Sequence, residues 1–317
     1  MDCIKQYSGE KYSIYNGDSC QLVKDLPDNS IGYSIFSPPF ASLYTYSDFD
    51  EDMGNSRNDE EFFQHFGYLV RELLRITQPG RNVSVHCMDM PIMKERDGYI
   101  GVKDFPGDII RLFINNGFIL HSKVLIWKDP LIEATRTKAL GLMHKQLCKD
   151  SAMCRQGLPD YLLTFRKPGE NQNPIRHPEG LTSYAGSGDI GYPVNDIKYS
   201  HNVWRKYASP VWMDIRQTNT LNKLADKGQD ERHVCPLQLD VIERGLTLWS
   251  NPEDIVFTPF MGIGSEVYQA VKMGRHGIGF ELKPEYFEQA YINIQTVGTE
   301  NNTEIEIKPG KYQQILF

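Results

Sequence analysis

Short apolar segments of strand length, several of them followed by a helical stripe, constrain this chain more than any other feature. They run from Tyr12 to Tyr15, Ile31 to Phe36, Asn82 to His86, Ile119 to Trp127, Tyr161 to Phe165, Ile255 to Phe257 and Gly277 to Phe280. Short apolar runs of this kind look like buried strands. Between Asp59 and Thr77 the period changes. Phe62, Phe63, Phe66, Leu69, Val70, Leu73 and Leu74 fall on one helical stripe, which Pro79-Gly80 is expected to stop. Further helices are expected after Pro236, near Ser265 and from Pro284, where proline suits a first turn. Strands alternating with helices imply an α/β fold with a doubly wound, mostly parallel sheet.

A chain of 317 residues can hold one such domain and a sizeable insertion. It contains no run of about 18 uncharged apolar residues, so no membrane span is expected. The start, Met1-Asp2-Cys3-Ile4-Lys5, lacks the basic and apolar regions of a signal peptide, which makes the cytoplasm the expected compartment. The six cysteines form no C-x-x-C pair and are expected to be free thiols. His144, Cys148, Cys154 and His177 have spacings that match no standard metal module, so no metal is expected.

The formal net charge of −7 disfavours nucleic acid as a partner until its distribution is considered. Acids crowd the stretch from Asp48 to Glu61. Between Lys123 and Arg176 the balance reverses, and Arg136, Lys138, Lys145 and Arg155 stand among the excess bases. A local basic face is therefore available, although a solvated surface would give the same pattern. From Pro168 to Gly191 the chain is rich in Pro, Gly, Asn and Ser, and irregular structure is expected to continue to about Arg232. Long irregular stretches inside α/β domains are usually functional or disordered.

Two local patterns carry chemistry. Ser37-Pro38-Pro39-Phe40 directly follows the strand Ile31 to Phe36. Consecutive prolines cannot continue a central strand, so the chain must leave the sheet at its carboxyl edge, where α/β folds bind ligands. The turn would present the Ser37 hydroxyl and the Pro38 carbonyl as acceptors beside the Phe40 ring. Such acceptors can draw a planar, ring-conjugated amine toward tetrahedral geometry while the ring stacks on a base. A plain Pro-Pro loop is the competing reading. The second pattern is Phe260-Met261-Gly262-Ile263-Gly264-Ser265, between the strand ending at Phe257 and a helix. Glycines there let backbone approach a ligand, and Glu281, at the end of the next strand, suits ribose hydroxyls. A third glycine would fall at Val267, which argues against NAD.

Together these patterns resemble the DNA amino-methyltransferase family in its permuted order, with the catalytic motif ahead of the cofactor motif. Ser37-Pro38-Pro39-Phe40 stands where that family has an Asp/Ser/Asn-Pro-Pro-Tyr/Phe motif, and Pro259-Phe260-Met261-Gly262-Ile263-Gly264 where it has Pro-Phe-x-Gly-x-Gly. Asn16-Gly17-Asp18-Ser19, Leu73 to Gly80 and His233-Val234-Cys235-Pro236-Leu237-Gln238 are similar to further elements of the family. Two departures stand out: His233 is not followed by proline, and Thr258 replaces a frequent aspartate.

The resemblance implies a Rossmann-like methyltransferase sheet, S-adenosylmethionine as cofactor, double-stranded DNA as partner and base flipping. The catalytic set it implies is Ser37, Pro38, Pro39 and Phe40. The cofactor set is Asp18, Ser37, His233, Pro236, Phe260, Gly262, Gly264, Ser265 and Glu281. Residues 1–130 and 233–317 are then expected to form a discontinuous catalytic domain, with 131–232 as a target-recognition insertion. Arg136, Lys138, Lys145 and Arg155 are expected to contact DNA, and a homodimer is compatible with the pattern. The insertion's aromatics, Tyr184, Tyr192, Tyr199, Trp204, Tyr207 and Trp212, suit either base stacking or a small core. Serine as the first motif residue goes with N4 of cytosine in the resembling family, as aspartate does with N6 of adenine. N6 methylation of adenine in DNA, methylation of RNA or protein, or a non-catalytic DNA-binding module, are the alternatives; stabilisation by S-adenosylmethionine followed by a DNA gel shift separates an enzyme from a binding module.

Overall fold

The computed structural model describes residues 3–39, 56, 58–92, 94–137, 144–221 and 236–297. Its sheet strands are β1 (Lys5–Ser8), β2 (Tyr12–Asn16), β3 (Ile31–Phe36), β4 (Thr77–Met88), β5 (Ile119–Ile126), β6 (Asp160–Arg166), β7 (Val211–Trp212), β8 (Ile255–Thr258) and β9 (His276–Glu281). They lie in the order β1-β2-β9-β8-β3-β4-β6-β5-β7. β1 and β6 run against the others. The longer helices are α1 (Asp59–Ile76), α2 (Phe105–Asn115), α3 (Pro130–Thr137), α4 (Ile197–Ala208), α5 (Leu239–Trp249), α6 (Ser265–Lys272) and α7 (Pro284–Gln295). This is the expected doubly wound, Rossmann-like arrangement.

Why β3 lies at the centre follows from its side chains, all six of which are buried. Phe36 joins Val83 and Val85 of β4 in a layer closed by Phe62, Phe66 and Leu69 of α1 and by Ile109 and Phe113 of α2. Tyr33 and Ile35 face the other way, against Val241, Ile242 and Leu246 of α5. Alternation along a strand thus feeds two cores, one on each face.

Several elements differ from the sequence expectation. Helix α1 ends at Ile76, and Pro79-Gly80 lies inside β4 rather than in a free turn. Thr77 closes the helix by donating from Oγ1 to the Leu73 carbonyl at 2.7 Å. The β3–β4 ladder then shifts register between Ile31 and Tyr33, and that irregularity accommodates the proline. Inside the stretch expected to be irregular, Asp196 caps α4 by accepting from Lys198 N at 2.8 Å, and β7 follows.

Residues 131–232 do not form one separate unit. β6 pairs with β4 on one side and β5 on the other, so the strand Tyr161 to Phe165 returns to the main sheet. Ile126 and Asp160 are cross-strand partners at the carboxyl edge, and 127–159 springs from that edge. Arg166 pairs with Asn82 and Ile119 at the opposite edge, from which the chain wraps back over α5. There Arg244, fully buried, donates from Nε to the Ala185 carbonyl at 2.7 Å and pairs with Asp214 at 2.9 Å. Its guanidinium lies 5.0 Å from the Trp212 ring and 5.5 Å from that of Tyr207, and both rings are buried. Of the six aromatics in this segment, Tyr192 and Trp204 are exposed; the others line or pack into the core.

Candidate active site

From β8 the chain crosses to β9 on one side of the sheet, and from β3 it crosses to β4 on the other. The switch point therefore lies between β3 and β8, and open α/β sheets bind ligands in the crevice at that point, beyond the carboxyl ends. Val256 pairs with Tyr33 and Phe257 with Ser34, so Ser37-Pro38 and Pro259-Phe260 emerge side by side. Phe36 and Phe260 fix that neighbourhood edge to face, with ring centroids 5.8 Å apart. Pro38 is buried and Ser37 half-buried at the rim.

On the β8 side, a tight turn leads into α6. Met261 N donates to the Phe280 carbonyl at 2.8 Å, and Gly262 N to Glu281 Oε2 at 2.7 Å. Glu281 Oε1 accepts from Lys283 N at 2.9 Å. The Asn16–Ser19 element closes the group. Gly17 N donates to the Glu281 carbonyl at 3.0 Å, Asn16 Nδ2 to the same oxygen at 2.8 Å, and Ser19 Oγ to the Pro259 carbonyl. Asp18 caps the short helix Ser19–Leu22, accepting from Cys20 N at 2.9 Å. Asp18, Phe260, Gly262, Ser265 and Glu281 are thus assembled from three separate stretches of chain.

The two glycines have different reasons to be glycine. Gly262 has φ +53, and among the described residues nothing lies within 4 Å of where its Cβ would stand. Its bare α-carbon faces open space beside Glu281, a cradle that any side chain would begin to fill and that suits a nucleoside-like group. Gly264 has φ +89, and a Cβ there would lie 3.0 Å from that of Ala290 in α7. Sequence reasoning assigned both to ligand approach; at Gly264 the structure adds a constraint of its own, the close packing of α6 on α7. Close behind the turn, Glu266 is buried in α6, and desolvation pushes its carboxyl up to about 8.

On the other side of β3 lies a polar chain that sequence reasoning missed. Ser37 Oγ is 2.9 Å from His86 Nδ1 at the end of β4. His86 Nε2 is 3.3 Å from Asp160 Oδ2 at the start of β6, an ion-pair distance off the line of a good hydrogen bond. Asp160 Oδ1 takes Lys128 Nζ at 2.7 Å, and Lys128 lies 3.6 Å from Glu133 of α3. Burial alone would raise the Asp160 carboxyl, but His86 and Lys128 outweigh it and hold it below the ordinary carboxylate range. The available signal was a histidine and an aspartate ending and opening two apolar runs.

Pro236 stands just ahead of α5 and is half-buried. Phe40, Lys138 and His233, and the side chain of Arg136, lie outside the described residues. Lys145 is exposed in the short helix His144–Leu147, and Arg155 is half-buried, donating to the Gln156 carbonyl at 3.0 Å. Both belong to the carboxyl-edge segment 127–159. Among the described residues, no helix is long and apolar enough to cross a membrane.

A doubly wound sheet with a glycine turn and an acid on one side of the switch point, and a Ser-Pro-Pro exit on the other, defines a Rossmann-like methyltransferase. A DNA methylase family model of the N6/N4 type matches residues 31–292, and the chain belongs to that family of DNA amino-methyltransferases. It is 24% identical over 307 residues to the type II methyltransferase M.BglII of Bacillus subtilis, covering 93% of this chain and 72% of that one. With the orphan methyltransferase M.BamHII of Bacillus amyloliquefaciens it shares 26% identity over 275 residues, covering 85% and 90%. Among solved structures, the cytosine-N4-specific PvuII DNA methyltransferase superposes with a TM-score of 0.61 at 18% identity, covering 95% of this chain and 92% of that one. A Thermus thermophilus protein assigned as a DNA modification methylase, complexed with S-adenosyl-L-methionine, superposes with a TM-score of 0.62 at 20% identity, covering 90% and 94%.

Proposed function

We propose that this enzyme transfers a methyl group from S-adenosylmethionine to the exocyclic amine of a base flipped out of duplex DNA, N4 of cytosine in preference to N6 of adenine. The observation that carries the reading is the adjacency of Ser37-Pro38 and the Phe260–Gly262 turn across the switch point. S-adenosylmethionine, when bound, supplies an activated methyl on a sulfonium. Glu281, Gly262 and Asp18 would hold its nucleoside part.

The chain's own residues then position and polarise the amine. Ser37 Oγ and the Pro38 carbonyl accept its hydrogens, which localises the nitrogen lone pair for in-line attack on the methyl carbon. With the cofactor bound, the N–C bond would form as the C–S bond breaks, that bond's electron pair staying on sulfur. The methylated nitrogen is a strong acid and gives its extra proton to water, so no dedicated base is required.

DNA approaches the carboxyl edge. The segment 127–159 stands there, and we assign phosphate contact to its Arg136, Lys138, Lys145 and Arg155. The stretch from Lys167 to Pro210 packs over α5 and carries a smaller share of recognition than the sequence suggested. Serine at position 37, and the fold shared with a cytosine-N4-specific enzyme, favour cytosine. The test is to methylate unmodified DNA with purified enzyme, digest it to nucleosides and identify the product by mass spectrometry. N4-methyldeoxycytidine is expected, and N6-methyldeoxyadenosine as the main product overturns the base assignment.

A further inference from the structure

Ser37, His86, Asp160 and Lys128 come from β3, β4, β6 and the exit of β5, which are adjacent in the sheet. His86 is 8% exposed and Asp160 4%. Packing would be served as well by apolar side chains here, and burying polar groups costs free energy unless they are paired. The pairing has a direction. An ionised carboxylate only accepts, and Asp160 faces His86 Nε2 at 3.3 Å. A neutral imidazole carries one hydrogen, so placing it on Nε2 leaves Nδ1 bare. The Ser37 hydroxyl, 2.9 Å away, must then donate to Nδ1.

We infer that His86, oriented by Asp160, is a positioning residue that fixes the Ser37 hydroxyl as an acceptor toward the target amine. The inference rests on the proposed transfer to an exocyclic amine. With its hydrogen committed to His86, Ser37 turns both lone pairs to the site and acts as an acceptor-only carboxylate would, without carrying a charge. A freely rotating hydroxyl would spend part of its time pointing hydrogen at hydrogen. Polarisation along the chain strengthens the Ser37 acceptor as positive charge develops on the nitrogen. No bond is made or broken at His86. Ser37 consequently has no hydrogen to offer the N3 acceptor of cytosine.

A double-mutant cycle tests this. His86→Leu is expected to lower kcat about 10²-fold while leaving S-adenosylmethionine affinity by calorimetry unchanged. Added to Ser37→Ala, it is expected to cost nothing further, because His86 acts through Ser37. His86→Asn, whose amide oxygen can stand near the Nδ1 position, is expected to recover about tenfold of the loss. Asp160→Asn keeps shape and lets Lys128 retain Glu133. Its amide can donate to Nε2, which moves the hydrogen to Nδ1 and reverses Ser37, so kcat falls here too; the melt is expected to drop because Lys128 loses an ionised partner, and unchanged S-adenosylmethionine affinity below the melt shows that the protein assayed is folded. Additive losses in the cycle, or wild-type kcat in either His86→Leu or Asp160→Asn, overturn the inference while the methyltransferase reading stands. A wild-type protein that binds S-adenosylmethionine but methylates no DNA overturns both.

Discussion

Gly264 and Ala290 meet so closely that a Cβ on the glycine would lie 3.0 Å from the alanine Cβ and 3.2 Å from its Cα. The contact locks the N-terminus of α6 against α7, and with φ at +89 the position excludes other residues on two counts. Gly264→Ala is expected to lose about 1–3 kcal/mol of stability, read by denaturant melts, from backbone strain and overpacking. Gly262→Val should behave differently. Its side chain enters open space, so the protein folds with the roughly 1 kcal/mol cost of a left-handed residue but loses S-adenosylmethionine binding by calorimetry. Tight binding by a folded Gly262→Val protein would place the cofactor elsewhere.

Glu266 should make the fold alkali-sensitive. Its carboxyl titrates near 4.5 when unfolded and at about 8 when folded, because burial disfavours the charge. Between those values the unfolded chain has released a proton that the folded chain keeps, so stability falls as pH rises, and the penalty is complete above about 8. Glu266→Gln removes the slope. Melts at pH 6 and pH 9 should show the variant gaining most at pH 9, and equal losses in both proteins would refute the assignment.

Arg244 should be worth more to stability than to catalysis. Removing the buried guanidinium leaves the Ala185 carbonyl without its donor and Asp214 with only Lys206, 3.7 Å away, so Arg244→Ala is expected to cost about 3–5 kcal/mol. Arg244→Lys should recover little, because an ammonium cannot reproduce the fork or the ring contacts. Cofactor affinity, measured well below the melting temperature, should stay within twofold.

Neutralising Arg136, Lys138, Lys145 and Arg155 one at a time should lower the slope of log K for DNA against log salt by about 0.9 for each phosphate left without its cation. Neutralising Arg176 and Lys198, in the stretch that packs over α5, should leave the slope unchanged. An unchanged slope after all four substitutions would remove DNA from the 127–159 surface.

Much of the fold was legible because its signals are local. All seven apolar runs became strands, and Ser37-Pro38-Pro39 and the glycine turn sit at strand exits, as their compositions dictate. Helix α2 escaped notice because Pro106-Gly107 reads as a turn; Asp104 instead caps it, accepting from Gly107 N at 2.8 Å. Helix α4 escaped because its surroundings are rich in turn residues. His86 and Asp160 were illegible for a different reason. Their meeting depends on the antiparallel register of β4 and β6, a non-local pairing that no short pattern encodes. The separate tasks of Gly262 and Gly264 likewise depend on where α7 packs.

The cross-strand pairing of Ile126 with Asp160 makes 127–159 the overgrown loop of a β-hairpin whose β6 strand is largely buried and whose β5 strand buries Val124 and Ile126 at the loop end. A loop whose ends are pinned so close together can be lengthened, shortened or exchanged at little entropic cost, since closure depends only weakly on length. The strands would hold their register while the loop beyond Glu133 was rewritten, with Lys128 and Glu133 kept beside Asp160, so that on the DNA contact proposed for this segment new sequences could be read by exchanging the rest of it.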